Sequence, residues 1–208
     1  MEYPEYYLKP FHAYSEGNLC WQAAFEAEPA TLAMALRVWP QEGLTWDAAQ
    51  ARLRASFLDC ISQHISEHQL TPPQSIVDVG CSVGLSTRAI HDRFEAADIV
   101  GLDLSPYMLA VAAVRDEQQG VRETGARRYV HGAGEATGMA DASVQLVTLS
   151  FLIHELPQAA TVGACVAPPL RSGHLMRVEC ACVLVWAKPS SERCEAKTNE
   201  FGRTQRIG

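Results

Sequence analysis

The chain lacks an excess of positive charge. Its 17 Lys and Arg stand against 24 Asp and Glu in 208 residues, a formal net charge of -7. No general basic field is therefore available to draw in nucleic acid or an anionic membrane surface. Long apolar runs are also missing: the longest lies near Val144 to Ile153, well short of the roughly twenty residues that cross a bilayer. The first thirty residues have no basic start followed by an apolar core and instead carry Glu2, Glu5, Glu16, Glu26 and Glu28. Neither a signal peptide nor a typical transit peptide is expected. Cytoplasmic residence is expected, or an organelle such as the plastid if a targeting segment is missing from this chain.

Metal and disulfide patterns are absent as well. The cysteines at 20, 60, 81, 165, 180, 182 and 194 are odd in number and form no CxxC pair, so reduced thiols in a reducing compartment are expected. Cys180 and Cys182 would share one face of a strand. His64 and His68 lie one helical turn apart and read as a solvated helix face rather than a metal site. His154 and Glu155 do not open an HExxH motif, because Gln158 stands where the second His would be. No metal is expected.

What remains is the composition of a globular domain with some decoration, 48% apolar and 20% charged. Residues 1–73 read as helical: Asn18 to Trp39, interrupted by Pro29, and Thr45 to His68, with Leu53, Phe57, Ile61 and Ile65 four apart on one face. Pro40 and Gly43 separate the two, and Thr71, Pro72 and Pro73 close the second. From Ser75 the pattern alternates. Strands are expected at Ser75 to Val79, Ile99 to Asp103, Arg128 to His131 and Val144 to Phe151. Helices are expected at about Leu85 to Phe94 and Pro106 to Gln119, the latter capped by Ser105. Such alternation predicts an α/β fold with a Rossmann-like, doubly wound, mostly parallel sheet over about residues 74–187, behind a helical N-terminal extension.

The most informative stretch is SIVDVGCSVGLSTR, Ser75 to Arg88. A short apolar strand ends in Asp78, breaks into a turn holding Gly80 and Gly84, and enters a helix, which is how chains present backbone N–H groups to a nucleotide-like ligand. About twenty-five residues on, ADIVGLDLSP ends a second strand at Asp103, where a carboxylate on such folds reaches ribose hydroxyls. A dinucleotide fingerprint starting at Gly80 would need Gly at 82 and 85, and the chain has Ser82 and Leu85. The order Asp78, Gly80, Ser82, Gly84 instead resembles motif I of the class I S-adenosylmethionine-dependent methyltransferases, with Ser82 in place of the middle Gly. The small Ser82 leaves the turn intact at the cost of some φ restriction.

The lead segment MEYPEYYLKPFHAYSEGNLCWQAAFEAE, the turn, GLDLSPYML and HGAGEATGMADASVQLVTLSFLIHELP together look like the type 11 methyltransferases, particularly a plant and algal subgroup, over about residues 1–158. The resemblance implies S-adenosylmethionine as cofactor and a small-molecule acceptor, with no nucleic-acid or membrane partner. It also implies that the helical segment before the first strand caps the cofactor pocket. Gly80 and Gly84, with Cys81 and Ser82, let the backbone approach the cofactor. Asp78 either orders the turn by accepting backbone N–H bonds or contacts the cofactor amino group. Asp103 accepts two ribose hydroxyls, and Leu104 packs on adenine or in the core. Gly134 and Glu135 are adenine-side candidates or loop residues. Ala133 stands where the type 11 enzymes often carry an acidic or amide residue, so that contact is missing.

His154 and Glu155, the catalytic candidates, follow the fourth strand at the carboxyl end of the sheet where ligands bind; the His takes a proton from an acceptor, or both residues cap the next helix. Tyr6, Tyr7, Phe11, His12, Tyr14 and Trp21 form an aromatic lead that is a lid or a docked terminus. Past Pro157 the pattern departs from the class. Gly163, Pro168, Pro169 and Gly173 punctuate the expected helix, and only Val178 to Ala187 reads as a strand. The C-terminal part is thus expected to be atypical or truncated, leaving an exposed strand edge, and residues 188–208 read as a disordered tail. Two alternatives stay open: a catalytically inactive or truncated relative that binds the cofactor without turnover, and, more weakly, an NAD-dependent oxidoreductase.

Overall fold

The computed structural model describes residues 2–120, 127–141 and 143–165, together with the backbone of strands 174–178 and 183–187. The expected tail and Cys180, Cys182 and Cys194 lie outside the described residues.

Two long helices precede the sheet. Helix α1 (Trp21–Val38) runs through Pro29 instead of stopping there. Its buried Ala23, Ala24 and Ala35 pack on neighbouring elements, and that contact outweighs one lost backbone donor. Helix α2 (Trp46–Glu67) starts at Thr45, whose side chain accepts the Ala48 N–H. Its Phe57, Leu58 and Ile61 bury the expected stripe against Ile76, Ile90, Ile99 and Leu146. Truncating Phe57 in such a core costs about 3–5 kcal/mol.

The sheet places β1 (Ser75–Val79), β2 (Asp98–Asp103), β3 (Arg127–His131), β4 (Leu146–Ser150), β5 (His174–Val178) and β6 (Val183–Ala187) in the order β3-β2-β1-β4-β6-β5. The first four are parallel. Helices α3 (Leu85–Arg93) and α4 (Pro106–Gln118) make the crossovers, and Ser105 caps α4 by accepting the Met108 N–H, with Pro106 in its first turn. Side chains alternate between faces: Ile76 and Leu146 meet α2 and α3, whereas Val77, Val79, Val147 and Leu149 pack on the other side with Ala164 of α5 (Gln158–Cys165). This is the expected doubly wound arrangement.

The C-terminal expectation is corrected. Val178 to Ala187 is not one strand: β5 and β6 pair antiparallel with each other, and β6 runs antiparallel to β4, Ser150 opposite Val183 and Leu146 opposite Ala187. Strand β4 is therefore not an exposed edge. Its backbone groups on that side find ladder partners, which a strand buried on both faces requires. A helix also forms in the punctuated region, since α5 includes Gly163. No helix among the described residues is long and apolar enough to cross a membrane.

Candidate active site

The turn after β1 works through three residues with left-handed backbone. Gly80 (φ 69°), Ser82 (φ 51°) and Gly84 (φ 79°) reverse the chain within five positions, and Gly80 and Cys81 both donate their N–H to Leu102 O of β2, at 2.7 and 3.1 Å. Only Gly fits at the two ends. A Cβ on Gly80 would come within 2.7 Å of Leu152, and one on Gly84 within 2.3 Å of the Tyr129 hydroxyl. Ser82 carries the restriction foreseen for it, and its N–H donates to Asp103 Oδ2 at 2.8 Å.

Asp103 ends β2, and its Oδ1 accepts the Ser105 N–H at 2.8 Å. Burial raises its pKa, and the N–H groups of Ser105 and Ser82 pull it back. The two bonds fix the carboxylate and leave lone pairs for further donors.

Asp78 departs from the expected role. It is fully buried, and its oxygens accept the hydroxyls of Thr148 at 2.7 Å and Thr87 at 2.8 Å rather than backbone N–H groups. Strand alternation turns it toward α3, while Val79, one residue on, lines the cavity. Burial pushes its pKa up to about 6, against the pull of the two hydroxyls and Arg54.

A cavity of about 420 Å³ opens at the carboxyl ends of β1, β2 and β4. Gly80, Cys81, Ser82, Asp103, Leu104, Gly134, Glu135 and Glu155 all line it. Leu104 and Cys81 are buried, and burial pushes the Cys81 thiol up. Gly134 is close-packed, since a Cβ there would meet Val79 at 2.7 Å. Asp78, Gly84 and His154 are not on the wall. Gly84 instead begins α3 behind it, and the His154 side chain is exposed, with Nε2 3.7 Å from Glu155 Oε1.

Glu155, in the short 3-10 helix Ile153–Glu155, reaches inward. Burial, with Asp103 nearby, pushes its carboxyl up to about 7. His12 Nε2 lies 3.7 Å from the same oxygen, on the solvent side.

The lead segment forms the roof. Tyr6, Tyr7, Phe11, His12 and Tyr14 line the cavity. Tyr6 donates its hydroxyl to Glu135, and burial beside Asp103 and Glu155 holds the Tyr7 phenol well above its ordinary pKa. Ser105 Oγ donates to Asn18 O at 2.6 Å, tying this roof to the α4 cap. Trp21 is not part of it. Trp21 is about half exposed and packs on Phe25 and Tyr107.

Sequence reasoning missed the wall that α2 and β4 supply. Arg54 is 7% exposed and lines the cavity. Its guanidinium donates to Ser86 Oγ at 2.9 Å, lies over the Phe151 ring, and makes no ion pair with a carboxylate among the described residues. Burial lowers its pKa to about 10. Close by in sequence, Ser150 Oγ is buried on the wall with no hydrogen-bond partner among the described residues, and Phe151 has a left-handed φ of 59°. The detectable signal was a charged residue in an apolar helical stripe, Arg54, Phe57, Leu58, Ile61, at i, i+3, i+4, i+7.

Residues 76–172 match a family described as "Methyltransferase domain". Over that stretch, somewhat under half of the chain, the sequence is similar to methyltransferase domains. Among curated relatives, trans-aconitate 2-methyltransferase of Yersinia pestis is 50% identical over 46 residues, 22% of this chain and 18% of that protein. Malonyl-[acyl-carrier protein] O-methyltransferase of Anoxybacillus flavithermus is 36% identical over 44 residues, 21% of this chain and 17% of that protein. The matches to these two curated relatives thus span less than a fifth of the relatives' lengths. Among solved structures, YcgJ of Bacillus subtilis aligns at 20% identity and a TM-score of 0.43, over 55% of this chain and 47% of that one. Geranyl diphosphate C-methyltransferase of Streptomyces coelicolor A3(2), crystallised with Mg2+, geranyl diphosphate and S-adenosyl-L-homocysteine, aligns at 22% identity and a TM-score of 0.37, over 45% and 34%.

Proposed function

We propose that this methyltransferase domain binds S-adenosylmethionine in the roofed cavity and passes its methyl group to a small-molecule acceptor. The observation that carries the reading is Asp103, a carboxylate fixed by two backbone N–H groups on the cavity wall beside a glycine-lined turn.

The wall fits that cofactor. Asp103 accepts the ribose hydroxyls with the lone pairs that Ser82 and Ser105 leave unused. The backbone of Gly80, Cys81 and Ser82 allows close approach, and Leu104, Gly134 and Glu135 flank the adenine. Arg54 and the unpartnered Ser150 hydroxyl take the amino-acid end, where a carboxylate satisfies a buried guanidinium that lacks one.

When bound, the cofactor supplies a methyl group on a sulfonium whose leaving group is a neutral thioether. The chain's own task is mainly to hold the acceptor in line, and such positioning is worth several kcal/mol of barrier. Glu155, inside the cavity and balanced between its charged and neutral forms near neutral pH, receives the acceptor's proton. His154, outside the wall, bears on Glu155 rather than on the acceptor. The aromatic roof from the lead segment and a cavity of about 420 Å³ support a small acceptor.

Calorimetry with S-adenosylmethionine and S-adenosylhomocysteine tests the cofactor, and release of labelled methyl groups into a metabolite extract tests transfer. Binding of both with label in a low-mass product is the expected result. NADH binding with neither adenosyl ligand bound would overturn the reading.

A further inference from the structure

Among the described residues, four carboxylates line the cavity, Glu26, Asp103, Glu135 and Glu155, against two permanent cations, Lys9 and Arg54. Three of the four are engaged by hydrogen bonds: Tyr14 donates to Glu26, Tyr6 to Glu135, and the Ser82 and Ser105 N–H groups to Asp103. Glu155 is placed differently. The groups facing it are His12 from the lead segment and His154 from its own short helix, each 3.7 Å away, with the Asp103 carboxylate and the Tyr7 phenol inside the cavity. Neither imidazole is within ordinary hydrogen-bond distance. Farther along the wall at the end of β4, the Ser150 hydroxyl is buried in a residue 6% exposed and lacks a partner among the described residues.

A half-buried carboxylate facing a second carboxylate, with two imidazoles at 3.7 Å and no Lys or Arg ion pair among the described residues, is stabilised most by a ligand that brings positive charge. The geometry points to Glu155 as the onium-recognising residue of this cavity, distinguishing a ligand with a positive centre there from its neutral counterpart. The inference rests on the proposed cofactor reading and extends it. A sulfonium has no N–H or O–H to donate, so charge rather than hydrogen bonding must recognise it, and loss of that charge in the thioether product weakens its hold. An ammonium acceptor would present the same chemistry. The raised carboxyl of Glu155 agrees with this, because a nearby cation would bring it down again.

Calorimetry on the full chain near pH 8 separates the possibilities. The ratio of S-adenosylmethionine to S-adenosylhomocysteine affinity should fall about fivefold or more in Glu155→Gln, with homocysteine-ligand affinity unchanged within about twofold, and Glu155→Asp should restore part of the ratio. If the ratio holds but dimethylammonium binding to the S-adenosylhomocysteine-loaded protein is lost in Glu155→Gln, the recognised onium is the acceptor's. A folded Glu155→Gln with both measurements unchanged overturns the inference. Should that variant not fold, the wild-type ratio measured from about pH 5.5 to 8.5 replaces it: a rise with pH supports the inference and a flat profile overturns it. If wild-type protein binds neither adenosyl ligand, the cofactor reading itself has failed and this inference falls with it.

Discussion

The Asp103 carboxylate accepts the backbone N–H of Ser82 at 2.8 Å, joining the carboxyl end of β2 to the turn after β1. Ser82 sits at φ 51°, a left-handed conformation that costs a non-glycine residue about 1–2 kcal/mol. The same bond that steadies this turn orients the carboxylate toward the cavity, so the proposed ribose acceptor and the glycine turn are set together rather than independently.

Asp103→Ala should weaken S-adenosylmethionine binding by about 2 kcal/mol or more, roughly thirtyfold, because two ligand hydroxyls lose their acceptor. The melting temperature should fall as well, since Ser82 and Ser105 lose theirs. Calorimetry beside thermal unfolding checks both, and undiminished affinity would mean that the ribose lies elsewhere.

Arg54→Met should weaken S-adenosylmethionine and S-adenosylhomocysteine alike by about 1.5–3 kcal/mol, the range for hydrogen bonds to a charged group. Adenosine, which has no amino-acid end, should bind the variant as it binds the wild type. An equal loss for all three ligands would show that Arg54 matters only for the shape of the pocket.

Ser82→Gly and Gly84→Ala should move stability in opposite directions. Glycine at 82 relieves the left-handed strain and should raise the unfolding free energy by up to about 1 kcal/mol, less the entropy that glycine adds to the unfolded chain. Alanine at 84 places a Cβ 2.3 Å from the Tyr129 hydroxyl at φ 79° and should cost about 2–4 kcal/mol. Denaturant titration reads both, and a neutral Gly84→Ala would contradict the packing described.

Glu155 makes stability depend on pH. Its folded pKa of about 7 lies above the ordinary 4.5, so the native state holds the proton longer than the unfolded chain. The stability this carries is fully present below about pH 4.5 and is lost as pH rises through 7. Glu155→Gln removes that loss: the two proteins should melt alike near pH 4, and the variant should gain by at most about 3 kcal/mol above pH 8. Parallel melting curves across that range would show that Glu155 is better solvated than its position indicates.

The stripe Leu53, Phe57 and Ile61 was readable because its spacing is that of a helix face and the core it meets is apolar. The part Arg54 plays at the edge of that stripe was not, because whether a charged residue faces water or a cavity depends on the strand packed against it. The antiparallel partner of β4 was hidden for a similar reason: strand pairing is non-local, and the 178–187 run carries no mark of where it divides.

By itself, the sequence determined the strand, turn and helix around Gly80, the cap at Ser105 and the alternation that makes a parallel sheet, because backbone conformation and side-chain period are local properties. Only the tertiary structure decided that Asp78 answers to Thr87 and Thr148, that Glu155 rather than His154 faces the cavity, and that Tyr6 and Tyr7 roof it. Those outcomes turn on which groups from distant parts of the chain exclude water from one another, and no short stretch of residues holds that information.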